Sequence, residues 1–132
     1  MPRLIPISAV VISALSLSVV APASAGDAEA GEKVFNKCKA CHQVGENAKN
    51  RAGPTLNGII GRPAGTAEGF AYSSPMTDSD LVWDETTLAA FLADPAGTLP
   101  GNKMKFPGLR KDEDIADVIA FLAGFNPDGT RN

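Results

Sequence analysis

Three stretches of the chain carry apolar residues at helical spacing, while the long intervals between them carry no regular period. In "DAEAGEKVFNKC", from Asp27 onward, Gly31, Phe35 and Cys38 share one face at i, i+4 and i+7. An acid at the start and Lys33 and Lys37 toward the end suit the helix macrodipole, so the pattern predicts a helix of about three turns. Gly31 inside it should cost about 1 kcal/mol relative to Ala, which predicts that another helix comes close there. "VWDETTLAAFLADP" predicts a second helix, with Asp84 as N-cap, Trp83 and Leu88 as a hydrophobic staple, a stripe of Leu88, Phe91 and Leu92, and Pro95 as its stop. "KDEDIADVIAFLAG" predicts the third: acids in the first turn, Ile115, Val118, Ile119 and Leu122 on one face, and Gly124 past the end.

From Val44 to Pro75 the chain is rich in Gly and Pro and reads as loops with one short helical turn near "TLNGIIG". "PAGTLPGNKMKFPGL" reads as a further loop. No strand and no internal repeat is predicted, so the fold class is all-α. So much loop is unusual in a small domain unless something other than the chain supplies part of its core, which points to a large ligand.

The amino-terminal end changes how the composition is read. Arg3, an apolar run from Leu4 to Val20, and Ala23 and Ala25 as small residues form a secretory leader pattern, with cleavage expected after Ala25. An uncleaved anchor is the alternative, since the run approaches the roughly 20 apolar residues that span a bilayer. The expectation is a cleaved signal peptide at 1–25 and one exported, periplasmic domain at 26–132. The formal net charge of −3 excludes a nucleic-acid binder that relies on bulk positive charge. The charges are also segregated. No Lys or Arg lies between Arg62 and Lys103, whereas bases collect around "CKACH" and in "GNKMKFPGLRK".

"CKACH" holds both cysteines and the only histidine of the chain. A structural zinc site needs about four ligands, and beyond the motif there is no third Cys or second His. A thioredoxin-like dithiol needs a βαβ context and a helix amino terminus, but this pair follows a helix. Covalent haem fits the spacing: two thiols three positions apart, Cys38 and Cys41, reach the two vinyl groups of one porphyrin, and His42 lies under the iron. A sixth ligand would come from Met104 or Met76. The Pro- and Gly-stiffened loop "LPGNKMKFPGL" favours Met104, whereas Met76 sits in polar "YSSPMTDSD", which reads as solvated turn. With both axial positions closed the expected activity is electron transfer, and the chain is not expected to be an enzyme. A haem enzyme or a gas-binding, peroxidase-like protein with a labile sixth ligand is the alternative, as is a fixed subunit of a larger complex.

With "CKACH", "GPTLNGIIGR", "FAYSSPM", "WDETTLAAFLADP", "PGNKMKFPGL" and "DIADVIAFL" in this order, the chain resembles the class I c-type cytochromes over residues 28 to 124. The resemblance is to the bacterial periplasmic monohaem branch that is similar to mitochondrial cytochrome c. It implies three main helices plus short turns and loops wrapped around one haem c, covalent through Cys38 and Cys41, with His42 and Met104 as axial ligands. It implies that the Pro54 carbonyl receives the His42 Nδ1 proton, and that Arg51, Tyr72 and Trp83 meet the haem propionates. Phe106 matches an aromatic near the exposed haem edge. Gly31, Phe35, Val118 and Phe121 match a crossing of the first and last helices. Phe91, Met76 and Asn102 depart from common residues at their positions. The implied role is a soluble, monomeric single-electron carrier. Its expected partners are a donor like quinol–cytochrome c reductase and an oxidase, reductase or reaction-centre acceptor, with only transient contact with the membrane surface.

Overall fold

The computed structural model describes residues 26–132; the expected leader at 1–25 lies outside the described residues. Among the described residues five helices form, in the order α1 (Ala28–Phe35), α2 (Ser74–Thr77), α3 (Glu85–Ala93), α4 (Pro95–Thr98) and α5 (Asp112–Ala123). Each of the three longer ones starts where the sequence supplies a start signal. The Asp27 carboxylate accepts from the N–H groups of Glu29 (2.8 Å) and Ala30 (3.2 Å) and so satisfies two donors that α1 leaves unpaired. Asp84 and Thr87 form a reciprocal capping box on α3, at 2.8 and 2.9 Å. Asp112, Glu113 and Asp114 fill the first turn of α5, where the helix dipole favours negative charge.

Three details differ from the sequence expectation. Regular helix α1 ends at Phe35 instead of reaching Cys38, because the next amides reach back only three residues and tighten the chain into successive turns. The segment near "TLNGIIG" forms reverse turns, not a helical turn; Ile59 and Arg62 bond back to Leu56 and Ile59, and positive φ at Gly58 and Gly61 bends the chain between them. Pro95 ends α3 and also opens α4, because proline at a first helical position gives up an N–H that would be unpaired there anyway.

The core sits where α1 crosses α5, with α3 also packed against α5. Gly31 makes the crossing possible: a Cβ there would lie 1.9 Å from the Asp117 carbonyl oxygen and 2.9 Å from Phe121 Cβ. The close approach brings the rings of Phe35 and Phe121 to 5.3 Å, and Val118 is buried to 1% exposure. Asp117, also buried, accepts the Asp27 N–H at 2.7 Å, so a side chain of α5 holds the residue that caps α1. The one ion pair among the described residues, Lys37 to Asp114 at 3.7 Å, is exposed enough to add little. Past α5 the chain turns back, with Arg131 over the ring of Phe125 at 4.6 Å, and Gly129 packs against the Gly45 carbonyl. Among the described residues, pairing between extended segments is limited to two isolated bridges, and no helix is long and apolar enough to cross a membrane.

Candidate functional site

Cys38, Cys41 and His42 leave α1 on one tight turn. The N–H groups of Cys41 and His42 both donate to the Cys38 carbonyl, at 3.1 and 3.0 Å, which places the three side chains at i, i+3 and i+4 on one side of the chain. Both cysteines are free thiols, Cys38 half-buried and Cys41 exposed. Burial pushes the Cys38 thiol up, the charge of Lys37 lowers it by less, and Cys41 adds a smaller push upward.

His42 is held from behind. Its Nδ1 lies 2.7 Å from the Pro54 carbonyl oxygen, which can only accept, so Nδ1 carries the hydrogen. Burial lowers the imidazole pKa, the Pro54 bond raises it, and the charge of Arg62 lowers it again. The ring is therefore neutral near pH 7, with its Nε2 lone pair free to bind a metal. Gly53 fixes where the ring stands. It is buried, its N–H donates to the Cys41 carbonyl at 2.9 Å, and a Cβ on it would overlap the imidazole at 2.3 Å from Cε1.

Met104 lies on the loop between α4 and α5, half-buried against the core. Asn102 ties this loop: its Nδ2 donates to the carbonyls of Pro95 (2.9 Å) and Leu99 (2.7 Å), and its Oδ1 accepts the Met104 N–H at 2.8 Å. The far end is pinned where the Leu109 N–H donates to the Leu92 carbonyl and Gly108, at φ +104°, lies against the Ala93 carbonyl. Met76, which reads from the sequence as part of a solvated turn, sits in α2 and packs half-buried against the core. Local polarity conceals this because the burial comes from other segments, and Ser74 and Thr77 face outward around it.

The residues expected at the haem carboxylates separate into two groups. Tyr72 is half-buried, its hydroxyl accepting the Ala67 N–H at 2.9 Å, and Trp83 is 5% exposed, its ring 5.0 Å from Phe91. Arg51 stands apart, exposed on the outer loop, where its backbone N–H donates to the Gly53 carbonyl. Arg62, not singled out in the sequence, is the half-buried arginine. Its Nη1 donates to the carbonyls of Thr55 (3.0 Å) and Asn57 (3.3 Å), and its backbone carbonyl accepts the Trp83 N–H at 2.9 Å. Burial lowers its pKa and the nearby Tyr72 opposes that, yet a guanidinium stays charged at neutral pH. Among the described residues no carboxylate pairs with it. The signal that could have found it is its place in "GIIGRP", directly after a glycine of positive φ and beside a β-bridge.

These residues fit a haem. Two unbridged thiols and a neutral imidazole share one turn, and a half-buried cation without an acidic partner suits a carboxylate of the ligand. Leu56, Ile60, Leu99, Met104 and Phe106 present partly covered apolar surface that a flat apolar group would bury.

The comparisons with known proteins decide the family. The cytochrome c family model matches residues 28–125. The chain belongs to the cytochrome c family. It is 53% identical over 108 residues to cytochrome c-554 of Methylosinus trichosporium, covering 82% of each chain, and 46% identical over 112 residues to cytochrome c2 of Blastochloris viridis, covering 85% and 88%. Among solved structures it resembles cytochrome cH from Methylobacterium extorquens, at TM-score 0.70 and 48% identity, over 74% of this chain and 97% of that one. This cytochrome therefore carries one covalently bound haem c through its Cys-X-X-Cys-His motif, and it is a non-catalytic, periplasmic single-electron carrier that serves membrane redox complexes.

Proposed function

We propose that His42 Nε2 and the Met104 thioether would ligate the haem iron, that the sulfurs of Cys38 and Cys41 would tether the porphyrin, and that Arg62, Tyr72 and Trp83 would hold its carboxylates. Arg62 takes the role expected of Arg51 because it is the half-buried arginine beside Tyr72. The haem supplies reversible one-electron chemistry at its iron. The chain's own residues prepare that site. The Pro54 carbonyl keeps the hydrogen on His42 Nδ1 and so leaves Nε2 as a lone-pair donor in both oxidation states, Gly53 lets the ring stand where it does, and Asn102 holds the Met104 loop in one conformation. With His42 and Met104 both holding the iron, the bound group would offer one-electron transfer and no place for a substrate.

The observation that carries this reading is the 2.7 Å contact between His42 Nδ1 and the Pro54 carbonyl, which serves no purpose for a surface histidine but presets a ligand. Met104→Leu tests it. The spectrum should lose the features of thioether ligation and the midpoint should fall, because a thioether favours reduced iron. An unchanged spectrum and midpoint would refute the assignment.

The finer reading of partners is a donor like quinol–cytochrome c reductase and an oxidase, reductase or reaction-centre acceptor, each met by the monomer in transient encounters. Lys37, Lys39, Lys103 and Lys105 are all exposed and flank the two ligand segments, so acidic partner surfaces would speed docking. Reversing these four charges should slow electron transfer at low salt and flatten its dependence on ionic strength. A rate unaltered at low salt would sink the docking proposal.

A further inference from the structure

Gly26, the first described residue, lies against the backbone of α5: a Cβ built on it would come within 2.0 Å of the Ala116 carbonyl oxygen and 2.6 Å of the Asp117 nitrogen. The next residue donates its N–H to Asp117 Oδ1 at 2.7 Å. Asp117 is a carboxylate at 8% exposure, and among the described residues no Lys, Arg or His pairs with it. Buried carboxylates are ordinarily paired with a cation, and here, among the described residues, Asp117 accepts a single backbone N–H. The missing charge has one source close at hand, since the nitrogen of Gly26 is a single residue from the amide that already binds Asp117.

We propose that cutting the leader after Ala25 creates this cation, the α-ammonium of Gly26, and that Asp117 with the Ala116 carbonyl is the site built to receive it at the crossing of α1 and α5. The inference rests on the leader being removed there. Water cleaves the Ala25–Gly26 amide, leaving the carboxylate on Ala25 and the amine, protonated at neutral pH, on Gly26. In the uncut chain the same nitrogen is a neutral amide with one hydrogen, so it brings Asp117 no counter-charge. An ammonium just ahead of α1 is opposed by the positive end of the helix dipole, so it needs acids around it. They are present. Asp27 caps α1 and Glu29 lies in its first turn, and Asp117 lies on α5 with Glu113 and Asp114 one turn earlier; Lys33 on α1 is exposed, and Lys37 is engaged by Asp114. A cut one residue earlier would carry the charge about 3.8 Å farther along the chain and put a neutral amide in its place. Processing would thus finish the helix crossing that closes the fold.

The holoprotein purified from the periplasm tests this in two separable steps. Its intact mass should correspond to a chain beginning at Gly26; any other start overturns the processing half. NMR titration of the α-amine then compares wild type, Asp117→Asn, which keeps an acceptor for the Asp27 N–H, and a variant with one extra Ala ahead of Gly26. The wild-type amine should bind its proton about threefold or more tightly than either variant. Because that pKa is raised, the added stability should be present below about pH 8 and lost as pH rises through the raised value, in wild type alone. Equal titration of wild type and both variants would overturn the ion pair even with the start at Gly26. If Asp117→Asn does not fold, the extra-Ala variant gives the same comparison.

Discussion

Gly31→Ala sets two effects of known size against each other. Alanine is the better helix former by about 1 kcal/mol, so a Gly31 that merely frayed at the end of α1 would be improved by the change. The structure predicts the opposite. The added Cβ would stand 1.9 Å from the Asp117 carbonyl oxygen, where ordinary contact begins at 3.4 Å, so α1 and α5 must part by roughly 1.5 Å. That oxygen belongs to the backbone of α5 and cannot swing aside as a side chain could. Separation would loosen the Phe35–Phe121 pair and the packing around Val118, two of the most buried points in the core. Overpacking of this kind costs about 1–3 kcal/mol, and the overlap with backbone puts Gly31 at or above the upper end. Net of the gain in propensity, the variant should lose about 2 kcal/mol, or about 10 °C in Tm for a domain of this size. Urea unfolding of the holoprotein followed by far-ultraviolet circular dichroism should show a lower midpoint at unchanged slope. A variant as stable as wild type, or more so, would refute the claim that Gly31 exists for close approach.

Arg62→Gln should shift the haem midpoint measurably, because it removes a half-buried charge, whereas Arg51→Gln should leave it within error; equal shifts from the two would refute the assignment of roles. The Asp84 carboxyl is held below its ordinary pKa first by the Thr87 N–H and then by the Thr87 hydroxyl, so its contribution to stability is complete above the ordinary carboxylate range near 4 and lost as pH falls through the depressed value. Asp84→Ala should therefore lower Tm at neutral pH, and the gap from wild type should narrow in thermal melts carried below about pH 4; a gap constant with pH would refute the capping account.

Elements whose cause is local were legible in the sequence, and elements whose cause is distant were not. The acidic start of α1 at Asp27, the cap at Asp84, the acidic first turn of α5 and the apolar stripe of Ile115, Val118, Ile119 and Leu122 lie within a few residues of the structure they create. Gly31 was legible for another reason: a costly residue inside a strong helical pattern demands a compensating contact. Met76 and Arg62 were missed because their burial is set by segments that the local pattern does not reveal. Asn102 stood out as a departure in a loop, but its three hydrogen bonds depend on the positions of the Pro95 and Leu99 carbonyls, which only the folded loop fixes. The motif "CKACH" was informative for a chemical reason, since thiol, thiol and imidazole at that spacing have few common uses.

The crossing of α1 with α5 joins the two extremities of the domain, so the tightest helix contact is also the one with the greatest separation along the chain. Such a contact cannot form until translation is almost finished, and no shorter nascent piece can reach the native arrangement. An emerging chain therefore stays threadable through an export channel for nearly its whole synthesis. The ring of contacts is the last part of the domain able to close.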